Sequence, residues 1–185
     1  YELLDTGVFD QDRYFDVFVE YAKANPNDIA IRISIVNRSK QPAPVSLLPS
    51  LWFRNVWSWG RSGEGFGPEP RIWIEDGRVH CEQQELGRYV FEVEGAEEYI
   101  FTNNETNKEL LYNSANSTPY VKDAFHRYVV EGEKEAVNPH QQGTKCAGVL
   151  RLVIPPGETA EVRIRLWAQS EAPTQIFGTP FDRLM

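Results

Sequence analysis

Strict period-two alternation on both sides of one short turn limits what this chain can fold into. From Arg13 to Ala24, Phe15, Val17, Val19 and Tyr21 fall on one face, and Tyr14, Asp16, Phe18 and Glu20 on the other. Asn25-Pro26-Asn27-Asp28 has turn composition, and beyond it Ile29, Ile31, Ile33 and Ile35 alternate with Ala30, Arg32 and Ser34. Successive strand residues point to opposite faces, so each run reads as a half-buried strand and the two together as an antiparallel hairpin. The pattern returns near the C-terminus. Thr144–Ile154 reads as a strand, Pro155-Pro156-Gly157-Glu158 as a turn, and Thr159–Ala168 as the hairpin partner, with Ala160, Val162, Ile164 and Leu166 opposite Glu161, Arg163 and Arg165.

Shorter segments fill the space between the two hairpins. A strand is expected over Val45–Arg54, and shorter ones over Arg71–Glu75, Arg78–Glu82, Tyr89–Val93 and Tyr99–Thr102. Thr106–Tyr112 reads as a short helix, 113–125 as irregular, and 126–131 as a return to strand. Many short antiparallel strands without long helices predict an all-β antiparallel β-sandwich. One domain is expected over 1–170, with 171–185 reading as a linker. The Gly- and Pro-rich stretch 55–70 and the segments 103–126 and 132–144 are long loops, where function concentrates.

Composition excludes several classes. The formal net charge of −8, with no basic run, opposes nucleic-acid binding. No apolar run approaches the roughly 18 residues that cross a bilayer. His80, His126 and His140 lack metal-ligand spacing, and no Cys-x-x-Cys, phosphate cradle or G-x-S-x-G elbow occurs, so no metal, cofactor or nucleophilic site is expected. Cys81 and Cys146 read as two unrelated reduced thiols. The sequons at Asn37, Asn104 and Asn116 carry little weight by themselves.

The segment Leu51-Trp-Phe-Arg-Asn-Val-Trp-Ser-Trp-Gly-Arg61 is the least ordinary, with Trp52, Trp57 and Trp59 beside two arginines. Such a cluster fills a core, contacts another domain or stacks on sugar rings. Three further loops mix amides, charges and aromatics: 101–107, 120–126 and 138–145. Asn and Asp there also stabilise turns by bonding their own backbone. The candidate interdomain or sugar-facing residues are Trp57, Trp59, Arg61, Asn104, Glu105, Asn107, Asp123, His126, Asn138 and Lys145. Hydrolysis of a glycosidic bond needs two placed carboxyls, and the spacing of the acids singles out no pair, so no catalytic residue is assigned.

Tyr1-Glu-Leu-Leu-Asp-Thr-Gly-Val-Phe-Asp10, Arg13–Ala22, Leu48-Pro-Ser-Leu-Trp-Phe-Arg-Asn55, Trp57-Ser-Trp-Gly60, Thr102–Asn107, Pro119–His126 and Asn138–Lys145 together resemble the N-terminal region of bacterial mannosyl-oligosaccharide-glucosidase-like proteins, glycoside hydrolase family sixty-three. The resemblance spans almost the whole chain. It implies a β-sandwich of the galactose-mutarotase-like supersandwich kind that packs on an (α/α)₆ barrel carrying the acid and base of an inverting α-glucosidase. The implied partners are that absent barrel and a carbohydrate, and the implied compartment is the bacterial cytoplasm. A stand-alone carbohydrate-binding module and a purely structural interaction sandwich are the alternatives.

Overall fold

The computed structural model describes residues 1–185. The first hairpin is β1 (Phe15–Asn25) and β2 (Asp28–Asn37), in a register that sets Val17 against Ile35 and Val19 against Ile33. The Asn25 side-chain oxygen accepts the Asn27 N–H at 2.7 Å and holds the turn. Then come β3 (Ala43–Leu47), β4 (Ser50–Trp52), β5 (Arg71–Glu75), β6 (Arg78–Gln83), β7 (Gly87–Val93), β8 (Glu98–Thr102), β9 (Gln142–Gly143), β10 (Lys145–Ile154) and β11 (Thr159–Ala168). Seven strands form one antiparallel sheet in the order β1-β2-β11-β7-β6-β5-β9, and β3, β4 and β8 pair with β10 in the second. The chain is an all-β antiparallel sandwich.

Alternation explains the core. The inward faces of β2, β11 and β7 supply Ile33, Ile35, Val162, Ile164, Phe91 and Val93, which meet Phe101, Cys146, Leu150 and Ile154 from the second sheet. Removing this apolar surface from water, at about 25 cal/mol per Å², is the main force holding the sheets together. Cys81 and Cys146 lie free in this core. Burial pushes the Cys81 thiol up to about 12 and the Cys146 thiol higher still. A thiol rather than a thiolate is unreactive. Iodoacetamide at pH 8 should therefore leave both cysteines unmodified in the native protein and alkylate both in denaturant, as read by intact mass. Rapid native labelling of either would contradict the packing. The sequon residue Asn37 is also buried: its amide donates to the Gln41 and Ile154 carbonyls at 2.8 Å each, and its oxygen accepts the Ser39 N–H.

Several segments differ from their sequence expectation, each for a physical reason. The two C-terminal alternating runs do not pair with each other, since β10 belongs to the smaller sheet and β11 to the larger. Pro155 and Pro156 have no N–H to start a hairpin ladder. Asn37 bridges the crossing instead, accepting from Gly157 N and donating its own N–H to the Glu158 carbonyl. The strand expected over Val45–Arg54 is split into β3 and β4 at Leu48-Pro49, where proline again lacks a donor. Both halves keep one register on β10, with Leu47 opposite Leu150 and Leu51 opposite Cys146. The helix read at 106–112 is α1, Lys108–Tyr112, with Asn107 as its N-cap.

Residues 126–131, expected as a strand, are helical: α2 (Ala124–His126) runs into a π-helical turn over Arg127–Glu131. Here tertiary packing decides. Ala124, Phe125 and Ala136 cover the outer face of the smaller sheet over Ile100, Ala147 and Val149. The segment 171–185, expected as a linker, lies against the protein. It contains α3 (Thr179–Asp182), and Phe181 is fully buried. Finally, β1 is not half-buried. It is mostly exposed on both faces, because the smaller sheet does not extend beneath it.

Candidate functional site

Lys145, the first residue of β10, stands opposite Trp52 of β4 and also opposite Thr102 of β8. The loops leaving β4 and β8 and the loop entering β10 therefore emerge side by side at one end of the sandwich. Backbone bonds lock them together. Phe53 N–H donates to the Thr144 carbonyl at 3.1 Å, and Thr144 N–H to the Thr102 carbonyl at 3.1 Å. Gly143 is required by this approach, since a Cβ there would overlap the Thr102 carbonyl oxygen.

Most of the sequence-predicted residues meet here, but in two roles. The amides are structural. Asn104 donates from its side chain to the Phe53 carbonyl at 2.9 Å, and its N–H donates to Thr144 Oγ1 at 2.8 Å. Asn107 caps α1 by accepting the Leu110 N–H at 3.1 Å and donates to Asp123 Oδ2 at 3.0 Å. Asn138 donates to the Gln142 carbonyl at 2.8 Å and accepts the His140 N–H. Lys145 extends its ammonium over the Phe125 ring at 4.7 Å and donates to the Lys122 carbonyl. Burial, with the Lys122 charge second, lowers its pKa. These side chains order the loops, as Asn, Asp and Thr do in turns.

The remaining groups line open concave surfaces. One cleft, about 340 Å³, is walled by Trp52, Arg54 and Trp59 on one side and Glu105, Lys108 and Lys122 on the other. Glu105 accepts the Ser117 hydroxyl at 2.6 Å. A second cleft of about 340 Å³ is bounded by the polar side chains of Glu69, Arg71, Asn103, Asn138 and Gln142, with Pro70 among them. Desolvation, with the Glu105 charge second, holds the Glu69 carboxyl above its ordinary range. The two acids line different clefts.

Trp57 separates from Trp59 and Arg61, which stay in contact. Trp57 turns away into a groove beside Pro68, Pro70 and Leu86, where its indole N–H is buried without a partner. Trp59 carries the Arg54 and Arg61 guanidiniums over its ring at 5.6 and 5.8 Å, which occupies a surface that sugar stacking would need. His126 is exposed, 3.8 Å from Glu131 and apart from either cleft. Trp52, which is not among the candidate residues, is the aromatic left open, 54% exposed at the cleft mouth. The signal was present in the alternation: Leu51 and Phe53 pack against the core, so Trp52 between them must point outward. Beside the cleft α1 projects, with Leu110, Leu111 and Tyr112 exposed at 72%, 61% and 71%.

No helix of the protein is long and apolar enough to cross a membrane. No protein-family model matches the chain. The chain is similar to the uncharacterized protein YMR196W of Saccharomyces cerevisiae, with 33% identity over 185 aligned positions covering 82% of the chain and 16% of the yeast protein. It therefore spans about a sixth of the length of the curated relative it matches.

Proposed function

We propose that this chain is a non-catalytic β-sandwich domain of a larger, inverting α-glucosidase-like hydrolase, and that its loop end packs on an (α/α)₆ catalytic barrel and walls one side of the sugar pocket. One observation carries the reading. The same end of the sandwich bears an open cleft of tryptophan, cations and one carboxylate and, next to it, the exposed apolar side chains of α1. Apolar projections of this kind suit contact with another domain, while the cleft offers stacking and hydrogen-bonding groups to a sugar. An inverting site needs two carboxyls about 6.5–9.5 Å apart across one bond. Glu105 faces its cleft without a second acid opposite, which supports placing the chemistry outside this chain. Its relative's much greater length is compatible with that division of labour.

The free face of Trp52 favours a second reading, an autonomous carbohydrate-binding module. Calorimetric titration of the chain with glucose and a panel of α-glucobioses separates the two. The wall reading expects no saturable heat and no hydrolysis from the chain alone. In the longer hydrolase, Trp52→Ala should raise KM about tenfold, the order of one lost aromatic contact. Saturable binding by the chain alone, abolished in Trp52→Ala, would replace the wall by the module. Turnover of any glucobiose by the chain would end the non-catalytic assignment.

A further inference from the structure

The larger sheet ends on two very different edges. At the loop end β9 is a two-residue strand, too short to template pairing, whereas at the far edge β1 runs for eleven residues. In the smaller sheet β3 carries Pro44, and β8 is occupied by Asn138 N–H on the Phe101 carbonyl and by Asn103 N–H on the Tyr120 carbonyl. Natural sheets blunt their edges with prolines, covers and short strands. Only β1 lacks all three.

The backbone of β1 is free in a defined pattern. Arg38 N–H donates to the Tyr14 carbonyl, so the even-numbered residues that follow bond to β2. The outward N–H and C=O groups therefore belong to Phe15, Val17, Val19, Tyr21 and Lys23. The side chains of these residues share the core-facing side of the sheet, where Val17, Val19 and Tyr21 are 55%, 46% and 70% exposed. On the other face Asp16 and Glu20 are held by Arg38 and Arg32.

We propose that a second copy of this chain pairs antiparallel along β1, with Val19 opposite its own symmetry mate, extending the sheet across a two-fold axis. A two-fold normal to the sheet keeps each side chain on its own face, so only registers centred on a residue are allowed. Centring on Phe18 would oppose Asp16 to Glu20, and centring on Glu20 would oppose that carboxylate to itself; like charges directly opposite are unfavourable. Centring on Val19 opposes Val17 to Tyr21, Phe18 to Glu20, Asp16 to Ala22 and Phe15 to Lys23, which joins the exposed apolar residues and apposes no like charges. Main-chain bonds supply the pairing, as in strand addition generally. Five strands separate β1 from β9 in the sheet, so the loop-end clefts stay open in the dimer.

Sedimentation velocity of the chain should show a concentration-dependent species of twice the 21.2 kDa mass. Val19→Cys should give a disulfide dimer on mild oxidation, because directly opposed strand residues lie within disulfide reach. Val17→Cys, equally exposed, should not, since its mate would stand four residues along the strand and beyond bridging distance. Val19→Lys should keep the circular dichroism of the native chain and lose the dimer. A monomer at every concentration overturns the proposal. So does equal cross-linking of both cysteine variants, or a dimer that survives Val19→Lys. Sugar titration reads the opposite end of the sheet, so its outcome and this one are independent.

Discussion

Arg165→Leu is expected to destabilise the protein by about 3–5 kcal/mol, the cost of leaving a buried charge without its partner. Arg165 lies on the outer face of β11, 5% exposed, and grips Asp28, 4% exposed, through two parallel bonds of 2.9 and 2.7 Å. Its remaining guanidinium nitrogen donates to the carbonyls of Gln175 and Ile176 at 2.8 and 2.7 Å. Leucine fills much of the volume but satisfies neither Asp28 nor those two carbonyls. For a domain of this size the thermal midpoint should drop by roughly 6–20 °C. Asp28→Leu combined with Arg165→Leu should recover part of the loss, because removing both charges leaves no orphan. Urea denaturation of wild type, single and double variants measures this. If Arg165→Leu lowers the unfolding free energy by less than about 1 kcal/mol, the pair is solvated and the tail is held by something else. The bidentate fork is specific to arginine, so Arg165→Lys should fall nearer to Arg165→Leu than to wild type.

How far the sequence led follows from the range of the interactions involved. Strand positions with strict alternation were legible because one neighbour in two must face the core, and β2 and β11 follow that pattern closely. Partnership was less legible. The hairpin at Asn25–Asp28 is local and was readable, whereas β10 and β11, equally close in sequence, sit in different sheets because of two prolines and a buried Asn37 far upstream. The edge position of β1 is likewise a long-range fact, since alternation reports which face is apolar and not whether another layer covers it. Loop convergence was not legible, for nothing local places Asn104 beside Phe53. Within the cleft, composition pointed to Trp57 and Trp59 because tryptophan is rare, but the open ring is Trp52, identified by the parity of its strand. The amides that are candidates for an interdomain or sugar-facing role bond to backbone, the commoner use of Asn in loops.

The C-terminal segment gives the second large effect. Pro173 and Gly178 give it the composition of a linker, and a substitution in a solvated linker should change stability by about 0.5 kcal/mol or less. Phe181 is instead fully buried, with Phe177 at 5.8 Å between ring centroids and Asp182 bonded to Arg163 at 3.0 Å. Phe181→Ala is therefore expected to cost about 3–5 kcal/mol, the range for emptying a buried aromatic site. Differential scanning calorimetry and limited proteolysis should agree: the variant melts earlier and is cut within 171–185 before the sandwich is touched. An unchanged midpoint would return this segment to the status of a linker. The effect should not add to that of Arg165→Leu. Both residues fix the same strap, Arg165 through the carbonyls of Gln175 and Ile176 and Phe181 a few residues further on. Once either is lost the strap loosens and the other has less to hold, so the double variant should fall short of the sum by about 0.5–3 kcal/mol, the usual coupling between residues in one network. Strict additivity would mean that two separate anchors act on a segment that is rigid without them.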